Sequence, residues 1–258
     1  MKASLRISRS HLRNLLRCID KINSVPDEDI HADVHLKAED GLIQLYSHVS
    51  PAFVVHEIED GSEISVDVET PGDISFNIET LSNIVQKAED GMFGIEFTSN
   101  AYHIVTPSGE SLSSVEFDLP RHADSVFEEP LDIGELYEID TISRTELRSG
   151  LSTMGVIGEF VNISVNDEDT VSFSVHNKVT GDANFEKSNS TSEISTMSQF
   201  YLIKPMDEFT STLVDTDNIT ILVSERGNIC LRAAIDSWTA EVHLSNKLAT
   251  DVDSYLNL

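Results

Sequence analysis

The chain is short of positive charge. It carries 17 lysines and arginines, only eight of them lysine, against 45 aspartates and glutamates, for a formal net charge of −28 over 258 residues. Acid at this density opposes compaction by self-repulsion unless salt screens it, and at molar salt the Debye length shrinks to about 3 Å. The composition reads as a halophile surface rather than as an acidic chain made for basic partners. Cysteine is nearly absent too. Cys18 and Cys230 fall inside apolar periodic segments, so they read as buried free thiols, and no Cys-x-x-Cys motif is available. No apolar run reaches the ~18 residues a membrane helix needs. The opening MKASLRISRS lacks the apolar core of a secretory leader, so a cytoplasmic protein without membrane contact is expected. A Gly-rich phosphate loop and a Gly-x-Ser-x-Gly turn are both missing. Carboxylates are so common that no pair stands out as catalytic. A non-enzymatic protein with no cofactor is the expectation.

What is present suffices for a folded core, since 40% of residues are apolar. One metal-like spacing occurs, His31-Ala-Asp-Val-His35. On a strand those histidines stand about 13 Å apart, too far to share an ion, and the alternation around them favours strand or loop. Asp167-Glu-Asp169 has the charge of a calcium loop without its twelve-residue pattern, and reads as a hairpin turn. No metal site is expected.

The few cations are unevenly placed. Residues 1–21 hold Lys2, Arg6, Arg9, Arg13, Arg17 and Lys21 against the single acid Asp20, a charge of +5 that leaves −33 for the rest. Leu12, Leu15, Leu16, Ile19 and Ile22 recur at helical spacing, and Ser8 or Ser10 can cap the helix start. Arg9, Arg13, Arg17 and Lys21 fall on the opposite flank at intervals of four. A helix with leucines on one side and cations on the other, on so acidic a chain, points to an anionic partner. Ile7-Ser-Arg-Ser-His-Leu-Arg-Asn-Leu-Leu16 returns altered as Ile142-Ser-Arg-Thr-Glu-Leu-Arg-Ser-Gly-Leu151, 135 residues on.

The order of elements repeats as well. Each half reads as strand, helix, several strands, helix and three strands, with strands at 3–8, 34–38, 42–46, 52–58, 64–68, 74–78, 93–97, 102–106 and 112–119, and helices at 9–22 and 79–88. In the second half, strands are expected at 137–142, 160–165, 171–175, 182–187, 193–197, 219–224, 229–234 and 239–244, and helices at 144–157 and 201–214. Pro120 to Leu136 has no period and is bracketed by prolines, which marks a linker. This gives an α+β chain of two similar domains, 1–119 and 137–248, a connecting linker 120–136 and a tail 249–258.

At this level the chain resembles a sliding DNA clamp of the proliferating-cell-nuclear-antigen family, of an archaeal halophilic or viral type. The likeness is carried by Val156-Ile-Gly-Glu-Phe-Val-Asn-Ile-Ser-Val, Thr170-Val-Ser-Phe-Ser-Val, Thr180-Gly-Asp-Ala-Asn-Phe, Phe200-Tyr-Leu at the fourth helix and Ala240-Glu-Val-His-Leu-Ser-Asn-Lys-Leu248. It covers about residues 1–248 and rests on pattern rather than one rigid motif.

The resemblance implies a homotrimeric ring of six similar domains around duplex DNA. Such a ring is a processivity factor that tethers DNA polymerase, clamp loader and other replication proteins by their docking peptides. It places Arg9, Arg13, Arg17 and Lys21, with Lys87, Arg144 and Arg148, toward DNA. Asn83, Gln86, Ser149 and Ser152 stand where the family has further cations, so a hetero-ring subunit or clamp-like accessory with reduced DNA contact is the alternative. It also implies a partner-peptide pocket from Tyr46, Ala52, Val126, Phe127, Leu244 and Leu248. Asn228 and Asn246 replace prolines expected near it. Subunits would meet through Ser113, Ser114, Val115 and Glu116 on one side and Asp182, Asn184, Phe185 and Lys187 on the other.

Overall fold

The computed structural model describes residues 1–23, 33–49, 52–105, 111–116, 134–166, 170–177, 179–187 and 196–246. The first half runs β1 (Lys2–Ser8), α1 (Arg9–Asn23), β2 (Asp33–Glu39), β3 (Leu42–Val49), β4 (Ala52–Glu59), β5 (Ser65–Thr70), β6 (Gly72–Asn77), α2 (Ile78–Lys87), β7 (Met92–Thr98), β8 (Ala101–Val105) and β9 (Ser111–Glu116). The second runs β10 (Leu136–Ser143), α3 (Arg144–Ile157), β11 (Phe160–Val165), β12 (Val171–Asn177), β13 (Gly181–Lys187), β14 (Met197–Leu202), α4 (Ile203–Thr212), β15 (Asn218–Ser224), β16 (Ile229–Ile235) and β17 (Trp238–Leu244). The class is α+β, and the sheets are mostly antiparallel, with antiparallel register in β1–β5, β1–β7, β10–β15, β11–β12, β11–β14, β12–β13, β15–β16, β2–β3, β2–β6, β7–β8 and β8–β9.

Local chemistry explains these elements. In β1, Ala3, Leu5 and Ile7 are buried while Lys2 and Arg6 are exposed, the period-two pattern of a half-buried strand. The Ser8 hydroxyl accepts the His11 amide at 3.2 Å and caps α1. The helix then buries the expected face, Leu12, Leu15, Leu16, Ile19 and Ile22, together with Cys18. Asn77 caps α2, accepting the Glu79 amide at 2.8 Å. Asp40-Gly41 turns β2 into β3, and Gly41 has φ +75°, the left-handed conformation such two-residue hairpin loops require.

Two compact units form. The first comprises Met1–Val49, Val54–Pro130 and Ala234–Ala240; the second comprises Ser50–Phe53, Leu131–Ala233 and Glu241–Leu258. The duplication extends to strand order. β1-β7-β8-β9 corresponds to β10-β15-β16-β17, and β4-β3-β2-β6 corresponds to β13-β12-β11-β14. β5, on the outer side of β1, has no counterpart among the described residues. The first unit's core includes Phe76, Phe97 and Tyr102, with ring centroids 5.6 to 6.5 Å apart. In the second unit Phe173 meets Phe185 at 5.6 Å. Burying one such ring is worth about 1.5–3 kcal/mol, with about 0.5–1.5 kcal/mol more from ring geometry.

The tip of the β16–β17 hairpin belongs to the first unit. There the Glu59 amide donates to the Ser237 carbonyl at 2.9 Å, and the Trp238 indole donates to His56 Nδ1 at 3.0 Å. His56 is completely buried, and burial pushes its pKa down to about 3. Its Nε2 has no hydrogen-bond partner among the described residues.

The start of the fourth helix differs from the sequence expectation. Phe200, Tyr201 and Leu202 belong to β14 rather than to the helix, pairing with Asn162, Val161 and Phe160. A three-residue apolar run cannot distinguish the period of a strand from that of a helix. The Tyr201 hydroxyl decides it by donating to the Gly227 carbonyl at 2.6 Å. The strand expected at 193–197 and the linker at 120–136 fall mostly outside the described residues, which resume at 196 and at 134.

Candidate functional site

The cations of α1 divide into two groups. Arg9 is turned inward: Nε donates to the Val85 carbonyl at 2.9 Å, Nη2 to the Gln86 carbonyl at 2.8 Å, and Nη1 pairs with Asp90 at 2.5 Å. Its side chain is only 20% exposed. Arg144 does the same work in the second unit, where Nε donates to the Thr216 carbonyl and Nη1 to the Thr210 carbonyl, each at 3.1 Å. The backbones match too, Arg9 N donating to Gly91 O and Arg144 N to Asp217 O at 2.8 Å. Each arginine starts one helix and ties it to the C-terminal end of its neighbour, where free carbonyls collect and a cation is favoured. Arg9 and Arg144, expected toward DNA phosphates, are thus bonded inward as helix clips. This also gives a structural reason for the repeated Ile-Ser-Arg. Replacing Arg9 or Arg144 with Ala is expected to cost about 1–3 kcal/mol each, because charged hydrogen bonds to part-buried carbonyls disappear. Denaturant unfolding in molar KCl checks it, and wild-type stability in both variants would count against the clip.

Arg13 and Arg17 are exposed and Lys21 is half-exposed. These three, with Leu16, Asp20, Ser82, Val85 and Gln86, line a groove of about 230 Å³ between α1 and α2. None of the three cations forms an ion pair among the described residues. The buried Ser82 hydroxyl has no hydrogen-bond partner there either. Lys87 is exposed at the end of α2, and Arg148 is exposed on α3. Arg148 acts on Asp207, whose carboxyl is raised by burial and by Glu208, with Arg148 opposing. Lys204 on α4 is also exposed, a cation the sequence reading passed over. Asn83, Gln86, Ser149 and Ser152 are exposed as well, so helix faces beyond α1 display neutral polar groups.

The two segments expected to meet other subunits are terminal strands. β9 ends the five-stranded sheet and β13 ends the four-stranded one. Ser113, Ser114, Val115 and Glu116 lie in β9, where Ser113 pairs with Ile104 and Val115 with Tyr102. Asp182 and Asn184 are exposed and Phe185 is half-buried on β13. Beside β13 a groove of about 500 Å³ opens against α3, with Gly150, Met154, Ala183, Asn184 and Phe185 among its walls. A Cβ at Gly150 would meet the Phe185 ring at 3.7 Å, an ordinary van der Waals contact. Lys187 differs from the rest: its ammonium donates to the Thr141 carbonyl at 2.5 Å and lies 3.4 Å from Asp140. It braces β13 within its own unit.

Of the expected peptide-pocket residues, Tyr46, Ala52 and Leu244 are buried, at 8%, 2% and 1% exposure. Burial, then the charge of Asp73, raises the Tyr46 hydroxyl to about 12. Val126, Phe127 and Leu248 lie outside the described residues. His35 is buried against Ser75 Oγ at 2.6 Å and the Tyr46 ring at 4.7 Å, and His31 falls outside the described residues.

One cluster escaped the sequence reading. Cys230, Glu241 and His243 bring a sulfur, a carboxylate oxygen and an imidazole nitrogen within 4.8 Å of one another. Glu-x-His on a predicted strand was the available signal, since residues two apart share a face; the partner cysteine thirteen positions from His243 was not legible as such. Among the described residues no helix is long and apolar enough to cross a membrane. A scan against protein-family models finds no match to this chain, and a search of curated proteins finds no significant one.

Proposed function

We propose that this chain is a subunit of a sliding DNA clamp: a non-enzymatic ring, built from copies of the chain, that encircles duplex DNA and tethers a polymerase and its accessory proteins. The observation that carries the reading is a strand joint made once, with two corresponding strands that end their sheets among the described residues. β17 neighbours β4, and within the first unit Glu59, His56, Ser237 and Trp238 knit the two together. By the duplicated strand order, β9 is the counterpart of β17 and β13 that of β4, and each ends its sheet. Exposed strand edges invite pairing. Pairing β9 of one chain with β13 of the next repeats the internal joint head to tail, and head-to-tail contacts close into rings when the rotation permits. The resemblance sets closure at three chains.

Arg13, Arg17 and Lys21, exposed on a chain of net charge −28, suit the DNA-facing role, with Lys87 and Arg148 as weaker contributors. Few phosphate contacts give weak, salt-sensitive, sequence-independent binding. Enclosure rather than affinity then keeps the ring on DNA. Solution mass across a salt series tests the reading: about three chain masses are expected in molar KCl. A monomer there at micromolar concentration overturns the homotrimer.

The neutral exposed residues Asn83, Gln86, Ser149 and Ser152 favour a second reading, a hetero-ring subunit or accessory with reduced DNA contact. A primer-extension assay with polymerase, loader and circular template separates the two. Longer products support the processivity factor, and no gain in length leaves the accessory reading.

A further inference from the structure

We propose that Cys230, Glu241 and His243 form a binding site for a zinc-class divalent metal ion, independent of any clamp role. The donors come from the two strands of one hairpin. Cys230 and Arg232 share a face of β16, and Glu241 and His243 share a face of β17, because residues two apart on a strand point the same way. Cross-strand contacts join the faces. Cys230 Sγ lies 3.8 Å from His243 Nε2, Nε2 lies 2.7 Å from Glu241 Oε2, and Arg232 Nε donates to Glu241 Oε1 at 2.5 Å.

The cluster is enclosed. Cys230 is 0% and His243 6% exposed, and the Glu241 side chain is 13% exposed. The Phe53 ring lies 6.0 Å from His243. His243 Nδ1 is buried and has no hydrogen-bond partner among the described residues.

The donor set selects the ion. Sulfur and imidazole ligands suit zinc and its neighbours, whereas calcium and magnesium require oxygen. With metal–sulfur and metal–nitrogen bonds of about 2.3 and 2.0 Å, tetrahedral ligand atoms stand roughly 3.3–3.6 Å apart. The Nε2–Oε2 pair must therefore open by about half an ångström and the Sγ–Nε2 pair close by a few tenths. A thiolate and a carboxylate balance the ion's two charges. Arg232 holds the other carboxylate oxygen and so orients Glu241, as outer groups do around metal ligands. Three protein donors leave a fourth position for water or an external ligand. On binding, the Cys230 S–H bond breaks, a sulfur–metal bond forms, and the proton leaves to solvent. The neutral His243 ring ligates through Nε2 and carries its proton on Nδ1.

Cobalt(II) titrated into the chelator-treated full chain tests the site. Molar KCl with excess magnesium suppresses weak binding to the acidic surface. One cobalt per chain is expected, with an intense near-ultraviolet thiolate-to-cobalt band that zinc abolishes. Cys230→Ser should remove the band, His243→Gln and Glu241→Gln should weaken binding at least about tenfold, and Cys18→Ser should leave both unchanged. Circular dichroism and solution mass confirm that each variant folds. Should Cys230→Ser fail to fold, the Glu241→Gln affinity decides. Absence of the band in the wild type, its loss in Cys18→Ser, or unchanged affinity in the folded ligand variants overturns the proposal.

Discussion

Acidification below pH ~6.5 is expected to weaken the fold through His56 by about 1.4 kcal/mol per pH unit. His56 is fully buried and stays neutral in the folded chain down to about pH 3. In the unfolded chain an ordinary histidine takes up a proton near pH 6.5. Between those values the unfolded state holds one more proton, so stability rises with pH across the window. The contribution is complete above about 6.5, declines as pH falls, and is gone near the folded value of about 3. His56→Gln isolates the effect. The glutamine carbonyl can still accept the Trp238 indole N–H, while the titrating group is removed. Denaturant midpoints measured at several pH values in molar KCl, which screens the carboxylates, should fall less steeply in the variant by one proton. The single tryptophan of the chain reports the unfolding by its fluorescence. Identical slopes in the two proteins would show that His56 does not titrate as its burial demands.

Under the proposed clamp function, Arg13→Glu combined with Arg17→Glu is expected to shorten residence on circular DNA by at least about tenfold at moderate salt, with solution mass unchanged. Both side chains are exposed along α1 and form no ion pair among the described residues. Reversal therefore takes up to two cations away from phosphate and installs repulsion. Every phosphate that is no longer neutralised should lower the slope of log affinity against log salt by about 0.9. The comparison with Arg9→Ala is informative, because Arg9 sits on the same helix but bonds inward to Val85, Gln86 and Asp90. That variant should lose stability without the specific change in salt slope. Unaltered DNA retention by the double variant at every salt concentration would remove α1 from the DNA-facing surface.

These two cases mark what could be read from the order of residues. The spacing of Leu12, Leu15, Leu16, Ile19 and Ile22 placed the buried face of α1, and Arg144–Ile157 was bounded as a helix by its period. Such features depend on near neighbours, whose geometry repeats every two or 3.6 residues. The duplication was equally visible, since Ile7-Ser-Arg and Ile142-Ser-Arg lie in register.

The fates of individual polar side chains were not visible in that way. Arg9, Arg13 and Arg17 are indistinguishable at intervals of four, yet Arg9 bonds the carbonyls that end α2 while the other two are exposed. Lys187 reads as an edge-strand cation until Asp140 and the Thr141 carbonyl, more than forty residues away, are brought to it. Phe200-Tyr201-Leu202 suits either period, and pairing with β11 settles it. Cys230 and His243 become neighbours only when β16 and β17 fold back on one another. Periodicity sets which face of an element is buried. Which charged or ligating group finds a partner depends on contacts between residues distant in the chain, and those exist only once the sheets and helix pairs have formed.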